Sequence, residues 1–183
     1  MRIEIRIAGA GGHGIVFAGR LLGTALVEKG FEVFMRVSYS PAQRGGWSCA
    51  DIVVSDREIL SPLVESPHIL VVTTQDRYDN EIANVRRDGY VVYESDTVHP
   101  TNSSVARHIP VPAFRIAEKV AGSRQFGNSV LIGFLAYATR LVDLETLVRS
   151  LDKIGARAKD RNIKALEAGY SYAREHGVEM AIR

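Results

Sequence analysis

The chain is organised around residues 3–14, which read IEIRIAGAGGHG. Apolar and polar residues alternate over the first five positions, as in a half-buried β-strand. Four glycines follow, and an apolar pattern with helical spacing starts at Ile15. Glycine lets the backbone adopt positive φ and lets a ligand approach the main chain closely, and a helix N-terminus presents free N–H groups to an anion. The stretch therefore predicts a strand, a glycine loop and a helix that together form a phosphate-binding cradle.

Length and composition restrict the class of protein. The chain has 183 residues, 46% of them hydrophobic and 24% charged, and a formal net charge of +2, so we expect one domain over residues 1–183 and no nucleic-acid surface. The single cysteine, Cys49, excludes an internal disulfide and a four-cysteine iron–sulfur cluster within this chain. No apolar run approaches the roughly 18 residues that cross a bilayer. We expect a cytoplasmic protein with no membrane partner.

The rest of the chain alternates predicted strands and helices. After the first strand, strands are predicted at residues 31–37, 49–55, 68–73 and 90–94, with a short extended piece at 109–111. Helical spacing is found at residues 15–29, 78–85, 114–120, 128–142, 144–154 and 163–176. Such alternation predicts an α/β fold. We expect a three-layer α/β/α sandwich with a mainly parallel sheet and a Rossmann-like first βα unit.

The loop residues alone do not identify the ligand of the glycine loop. The loop satisfies G-x-G-x-x-G, which is typical of a dinucleotide site, but such a site also needs an acid near the end of the second strand. Here Glu32 opens that strand and its far end carries Arg36, which suits an additional phosphate better than a ribose diol. We therefore expect the loop glycines Gly9, Gly11, Gly12 and Gly14 to bind phosphate. A complete NAD site and a tight packing turn are the alternatives.

A second glycine-containing loop, residues 39–46 (YSPAQRGG), follows the second predicted strand. In an open α/β sheet it lies at the same edge as the first loop, so the two should form a crevice. Arg44 can present a guanidinium beside the exposed backbone of Gly45 and Gly46, which suits phosphate or carboxylate. His13, within the first loop, could donate to a phosphate. In the alternative, both Arg44 and His13 are only solvated.

Together the two loops resemble the gamma subunit of the 2-oxoacid:ferredoxin oxidoreductases. Those chains carry G-x-G-G-Q-G before an alanine-rich helix and Y-G-P-x-x-R-G-G before a strand ending in S-D. Residues 8–26 (AGAGGHGIVFAGRLLGTAL) and 38–56 (SYSPAQRGGWSCADIVVSD) match this pattern, and so do ILSP at 59–62 and GNS at 127–129. His13 replaces the usual glutamine and Ser40 the usual glycine. The resemblance extends to about residue 145 and is greatest to the 2-oxoglutarate type, with pyruvate and indolepyruvate types as alternatives.

The resemblance implies a function for the whole assembly. Family enzymes oxidatively decarboxylate a 2-oxoacid on thiamine diphosphate, reduce ferredoxin through iron–sulfur clusters and form an acyl-CoA. It implies that thiamine diphosphate, magnesium and the clusters lie on partner alpha, beta and ferredoxin-like delta subunits, with no catalytic or metal-binding residue in this chain. It also implies coenzyme A as the ligand of the cradle, with Arg36 or Arg44 on its phosphates. The alternatives are an assembly subunit without a ligand and a free-standing NAD(P) oxidoreductase.

Overall fold

The computed structural model describes residues 1–40, 45–101 and 106–182. Within these ranges the strands are β1 (Arg2–Ala10), β2 (Glu32–Tyr39), β3 (Trp47–Ser55), β4 (Ile69–Val72), β5 (Tyr90–Glu94) and β6 (Arg107–Val111). The helices are α1 (Ile15–Glu28), α2 (Gln75–Glu81), α3 (Ala113–Ala121), α4 (Gly127–Thr139), α5 (Leu144–Lys153) and α6 (Lys159–Glu175), and short 3₁₀ turns follow at Ile82–Asn84 and Arg124–Phe126.

The strands form one sheet in the order β2-β3-β1-β4-β5-β6. The β1-β4, β4-β5 and β5-β6 pairs are parallel, whereas β3 is antiparallel to both of its neighbours. The prediction of an α/β fold with a mainly parallel sheet is confirmed. Because β3 lies between β1 and β2 and is antiparallel to both, β1 and β2 run in the same direction without being neighbours. Their carboxyl ends therefore meet at the same edge of the sheet, as the two loop positions require.

Helices cover the two faces of the sheet unequally. Ile3, Ile5 and Ile7 of β1 point into the main core, which they share with α1, α3, α4, α5 and α6. On the opposite face, Leu70 and Val72 of β4 belong to a smaller core under α2 and the 3₁₀ turn after it. The sandwich thus has three layers, and the second helical layer is thin.

Helices α4 and α6 cross with their backbones in contact. A Cβ on Gly133 of α4 would lie 2.0 Å from the carbonyl oxygen of Leu166, and a Cβ on Gly169 of α6 would lie 1.9 Å from that of Val130. Only glycine leaves room for this approach at both positions. The crossing holds the beginnings of both helices close to the glycine loop.

Several boundaries differ from those that the sequence predicts. β1 continues to Ala10 and so includes Gly9, β3 begins at Trp47, and α6 begins at Lys159, ahead of the first apolar residue of its pattern.

The N-cap of α5 is Asp143, as expected, and its carboxylate accepts from the N–H of Thr146 at 2.7 Å. Among the described helices none is both long and apolar enough to cross a membrane. The single domain over residues 1–183 stays a prediction.

Candidate functional site

The glycine loop has the backbone geometry of an anion cradle. Gly12 has φ of 90° and Gly14, the N-cap of α1, has φ of 71°, conformations that favour glycine over residues with a side chain. No side chain of the described residues caps the start of α1. The first N–H groups of a helix have no acceptor within it, so those of α1 are available to a ligand at Gly14.

Two other residues of the loop serve its packing. Gly9 is buried inside β1, and a Cβ there would lie 2.0 Å from Oγ1 of Thr73. The Nδ1 atom of His13 lies 2.8 Å from the same oxygen, and the ring meets Phe114 edge to face with centroids 5.0 Å apart. Burial lowers the pKa of His13 below its ordinary value of 6.5, which favours the neutral ring. Gly9 and His13 thus fix the loop to the end of β4.

The structure brings the two predicted loops together. The N–H of Gly11 donates to the carbonyl oxygen of Gly46 at 2.7 Å, and Gly45 has φ of 67°. Between the loops lies an open cleft of about 550 Å³, which we call the interloop cleft; its lining includes Gly11, Gly12, Gly14, Gly45, Gly46 and Trp47. Arg44 lies outside the described residues. The predicted crevice between two glycine loops is present at the expected sheet edge.

Arg36 does not reach the interloop cleft. Its neighbour Met35 faces α1, so Arg36 points to the opposite face of the sheet, where its Nη2 atom lies 3.0 Å from a carboxylate oxygen of Asp51. The same carboxylate accepts from Nε of Arg6 at 2.6 Å. Asp51 lies opposite both arginines in the strand register. The sequence shows these charges but not that β3 would lie between β1 and β2 and pair them.

A second cavity, of about 430 Å³, shares Gly12 and Gly14 with the interloop cleft, and Arg20 and Arg157 line it. A smaller cavity of about 360 Å³ shares Gly12 with it and contains Arg124. We call these two cavities the arginine groove. No carboxylate is among its described lining residues, and its three arginines form no ion pair within the described part of the chain. Sequence reasoning missed these arginines because they come from three separate segments.

A chain of buried hydrogen bonds joins the walls of the arginine groove. Nδ2 of Asn128 donates to the carbonyl oxygen of Gly14 at 3.2 Å, and Oδ1 of Asn128 accepts from the N–H of Ser129 at 2.6 Å. Oγ of Ser129 donates to Oδ1 of Asn162 at 2.7 Å, whose Nδ2 donates to the carbonyl oxygen of Arg157 at 2.9 Å. Buried polar groups that are paired in this way give a single, rigid arrangement. The glycine loop is therefore held at a fixed position relative to Arg157.

The fold is that of an α/β protein with two glycine loops at one edge of its sheet. Residues 4–172 match the model of the pyruvate ferredoxin/flavodoxin oxidoreductase family. The chain belongs to this family. No group of three His, Cys, Asp or Glu side chains that could hold a metal ion is found among the described residues.

Known relatives agree with the resemblance seen in the loops. The 2-oxoglutarate synthase subunit KorC of Methanothermobacter thermautotrophicus is 33% identical over 177 residues, which cover 92% of this chain and 94% of that protein. The gamma subunit of a keto/oxoacid ferredoxin oxidoreductase from Geobacter sulfurreducens has a TM-score of 0.81 at 25% identity, covering 94% of this chain and 99% of that one. The predicted resemblance to gamma subunits is confirmed.

The same fold occurs inside a larger chain. It is found in the 2-oxoglutarate:ferredoxin oxidoreductase of Magnetococcus marinus, solved with 2-oxoglutarate, coenzyme A and succinyl-CoA bound, with a TM-score of 0.85 at 20% identity. The match covers 98% of this chain and 32% of that one. At this identity the match shows the fold.

Proposed function

We propose that this chain is the gamma subunit of a multisubunit, thiamine-dependent 2-oxoacid:ferredoxin oxidoreductase of the 2-oxoglutarate type, acting in the cytoplasm. The support is a relative of that type that aligns over nearly the full length of both chains. Thiamine diphosphate, magnesium and iron–sulfur clusters then belong to alpha, beta and delta partner subunits, which pass electrons to ferredoxin. The pyruvate and indolepyruvate types are the alternatives within the family.

We further propose that the glycine loops and the arginine groove bind coenzyme A. The observation that carries this proposal is that Arg20, Arg124 and Arg157 line the cavities beside the start of α1 and form no ion pair within the described residues. No described lining residue is a carboxylate, and no described side chain caps that helix N-terminus. Coenzyme A carries a pyrophosphate and a 3′-phosphate, which need N–H donors and guanidinium groups. The residues present therefore fit the phosphates of this cofactor.

Each wall has a separate part in this binding. The backbone of Gly12 and Gly14 would offer N–H donors, while the N–H of Gly11 joins the two loops through the carbonyl oxygen of Gly46. The arginines would neutralise the phosphate charges; those proposed for this role are Arg20, Arg124, Arg157 and, from the second loop, Arg44 beside Gly45 and Gly46. Phe126 also lines the groove and offers an aromatic face for a purine ring. When bound, coenzyme A supplies the thiol that accepts the acyl group. This chain holds and orients the cofactor.

Calorimetric titration of the reconstituted complex with coenzyme A tests the proposal. Arg157→Ala and Arg44→Ala should each weaken coenzyme A binding about tenfold or more, since a hydrogen bond to a charged group contributes roughly 1.5–3 kcal/mol. Arg174→Ala is the matched control, because this exposed arginine in the last turn of α6 lines none of the three cavities. Unchanged affinity in both Arg157→Ala and Arg44→Ala would contradict coenzyme A binding here.

The alternative assembly role predicts a different result for the same variants. If the loops and arginines contact a partner subunit, Arg157→Ala and Arg44→Ala should reduce co-purification of the other subunits and leave the affinity of the remaining complex for coenzyme A unchanged. A free-standing NAD(P) enzyme would instead require nucleotide binding by the isolated chain. Titration of the isolated chain with NADH and NADPH distinguishes that case.

A further inference from the structure

The two edges of the sheet differ in how they are protected. β6 at one edge has five residues and contains Pro110, which has no N–H to offer to a further strand. β2 at the other edge has eight residues, EVFMRVSY, and no proline. Proteins protect free edges with prolines and short strands, because an unpaired edge is a template for another strand. The β2 edge lacks both devices and is suited to pairing.

The hydrogen-bond pattern shows which groups of β2 are free to pair. The N–H of Ser40 donates to the carbonyl oxygen of Trp47 at 2.9 Å, and Phe34 lies opposite Val53 in the same continuous register. Hydrogen-bonding direction alternates along an antiparallel strand. Phe34 therefore directs its N–H and C=O toward β3, whereas the residues that direct theirs to the free edge are Val33, Met35 and Val37.

We propose that the β2 edges of two copies of this chain pair with each other, antiparallel and centred on Phe34, to form one continuous sheet. In this register Phe34 lies opposite Phe34 of the second copy, Val33 lies opposite Met35, and Glu32 lies opposite Arg36. Aromatic and opposite-charge pairs of this kind stabilise antiparallel strands. Within the described residues, Arg36 contacts Asp51 through Nη2, and a guanidinium has further donors that can reach the glutamate of the second copy.

Two other symmetric registers are less favourable. Centring the pair on Glu32 or on Arg36 would place a charge directly opposite the same charge, which is destabilising. The register on Phe34 is the one among these three that places opposite charges together. The sequence of β2 is in this sense complementary to itself.

Exposed apolar side chains flank the same edge on both faces. Phe34 is 41% exposed on the face away from α1, and Val27 of α1 is 57% exposed on the other. Beside Val27 a groove of about 460 Å³ runs along the edge, and Val33 and Met35 line it. Pairing of two copies would cover Phe34 on one face and bring the same groove of the second copy against this one on the other. The occupant that fits both the charges and the apolar residues is a second copy.

Cysteine cross-linking tests the register. In the proposed pairing Phe34 and its symmetry mate form a non-hydrogen-bonded pair, with Cα atoms about 4.5 Å apart, within the range of about 4.4–6.8 Å for a disulfide. Phe34→Cys should form a covalent dimer under mild oxidation with copper phenanthroline. Glu32→Cys is the matched control, since its two copies would lie about 13 Å apart along the strands and should not cross-link. Burial raises the pKa of the Cys49 thiol to about 12, so the native cysteine does not compete.

Charged residues introduced at position 34 test the interaction in solution. Phe34→Glu and Phe34→Lys each place like charges opposite each other, and each should raise the dimer dissociation constant measured by sedimentation equilibrium about tenfold or more. Mixing the two variants should restore dimers that contain one copy of each. Leu60→Lys, at a leucine that is 88% exposed outside β2, should leave the dissociation constant unchanged.

Each experiment has an outcome that would overturn the proposal. Wild-type chain that stays monomeric at about 100 μM, above the micromolar range of weak interfaces, would do so, and so would mixed variants that fail to associate. The same Phe34→Cys experiment is repeated in the assembled complex. Cross-linking to a different subunit there would show that another strand occupies the edge. None of these results depends on coenzyme A binding, so the two proposals are tested independently.

Discussion

At the scale of single residues, His13 shows how the loop differs from its family pattern. Histidine stands here where the family pattern has glutamine. Its ring contacts Thr73 and Phe114, and burial lowers its pKa below 6.5. The unfolded chain therefore binds a proton at this ring at a higher pH than the folded chain does. As the pH falls below about 6.5, protonation favours the unfolded state, and the free energy of unfolding decreases.

His13→Gln should reduce this dependence on pH. Between about pH 7 and about pH 5, the range in which histidine titrates, the variant should lose less stability than the wild type. His68 also has a pKa lowered by burial, but it is present in both proteins, so the difference between them reports on His13. Urea unfolding at several pH values measures it, and parallel pH profiles for the two proteins would refute the expectation.

At the scale of secondary-structure elements, the crossing of α4 and α6 depends on two glycines. Gly133 and Gly169 lie against the backbone of the opposite helix, and backbone atoms cannot move aside as a flexible side chain can. The crossing also positions Ser129 and Asn162, which join the two helices through a buried hydrogen bond. This contact therefore supports the arginine groove as well as the core.

Gly169→Ala should lower the free energy of unfolding by about 3 kcal/mol or more, at the upper end of the usual cost of overpacking. The matched control is Gly23→Ala in α1, where the added Cβ would lie 3.7 Å from Cγ1 of Val33, an ordinary contact. That control should stabilise the protein by roughly 0.5–1 kcal/mol, because alanine favours the helix over glycine. Chemical denaturation measures both changes. Equal effects of the two substitutions would show that the helices can separate without cost.

At the scale of the whole molecule, a buried ion-pair network connects distant segments on the thinly covered face of the sheet. Asp51 of β3 accepts from Arg6 of β1 and Arg36 of β2, and Arg6 also donates to Glu81 of α2 at 2.8 Å. Nη2 of Arg6 donates to the carbonyl oxygen of Val64 in the connection between β3 and β4. The network joins three strands, one helix and a connecting segment where apolar packing is limited.

Asp51→Asn should lower the free energy of unfolding by about 3–5 kcal/mol, because it leaves the buried guanidinium of Arg6 without its main partner. Asp88→Asn is the control: it removes a carboxylate from the exposed pair with Arg86, which is 3.0 Å long, and should cost at most about 1 kcal/mol. Thermal unfolding of both variants compares them. Similar losses would mean that the buried network adds no more than a surface ion pair.

The sequence predicted much of the fold because its signals are local. Alternating apolar residues before the glycine loop and helical spacing after Ile15 follow from contacts within a few residues. Gly12 and Gly14 could be identified as loop residues, because the ability to adopt positive φ belongs to glycine itself and does not depend on distant residues. The arginine groove could not be predicted, since Arg20, Arg124 and Arg157 meet only after α1, α4 and α6 have packed. The sequence pattern predicts that Arg36 binds phosphate, because its partner Asp51 comes from a strand whose position the pattern does not show.

By itself, the sequence determined the order of strands and helices, the glycine loop at the start of α1 and the relation to gamma subunits, because these depend on residues that are neighbours along the chain. The tertiary structure decided which charges are paired and which are free. It placed β3 between β1 and β2, which gave Arg36 a partner and left β2 at the sheet edge. It also brought Arg20, Arg124 and Arg157, which form no ion pair within the described residues, into cavities lined by Gly12. The physical reason is that ion pairing and burial depend on distance in space, and the packing of whole elements sets that distance.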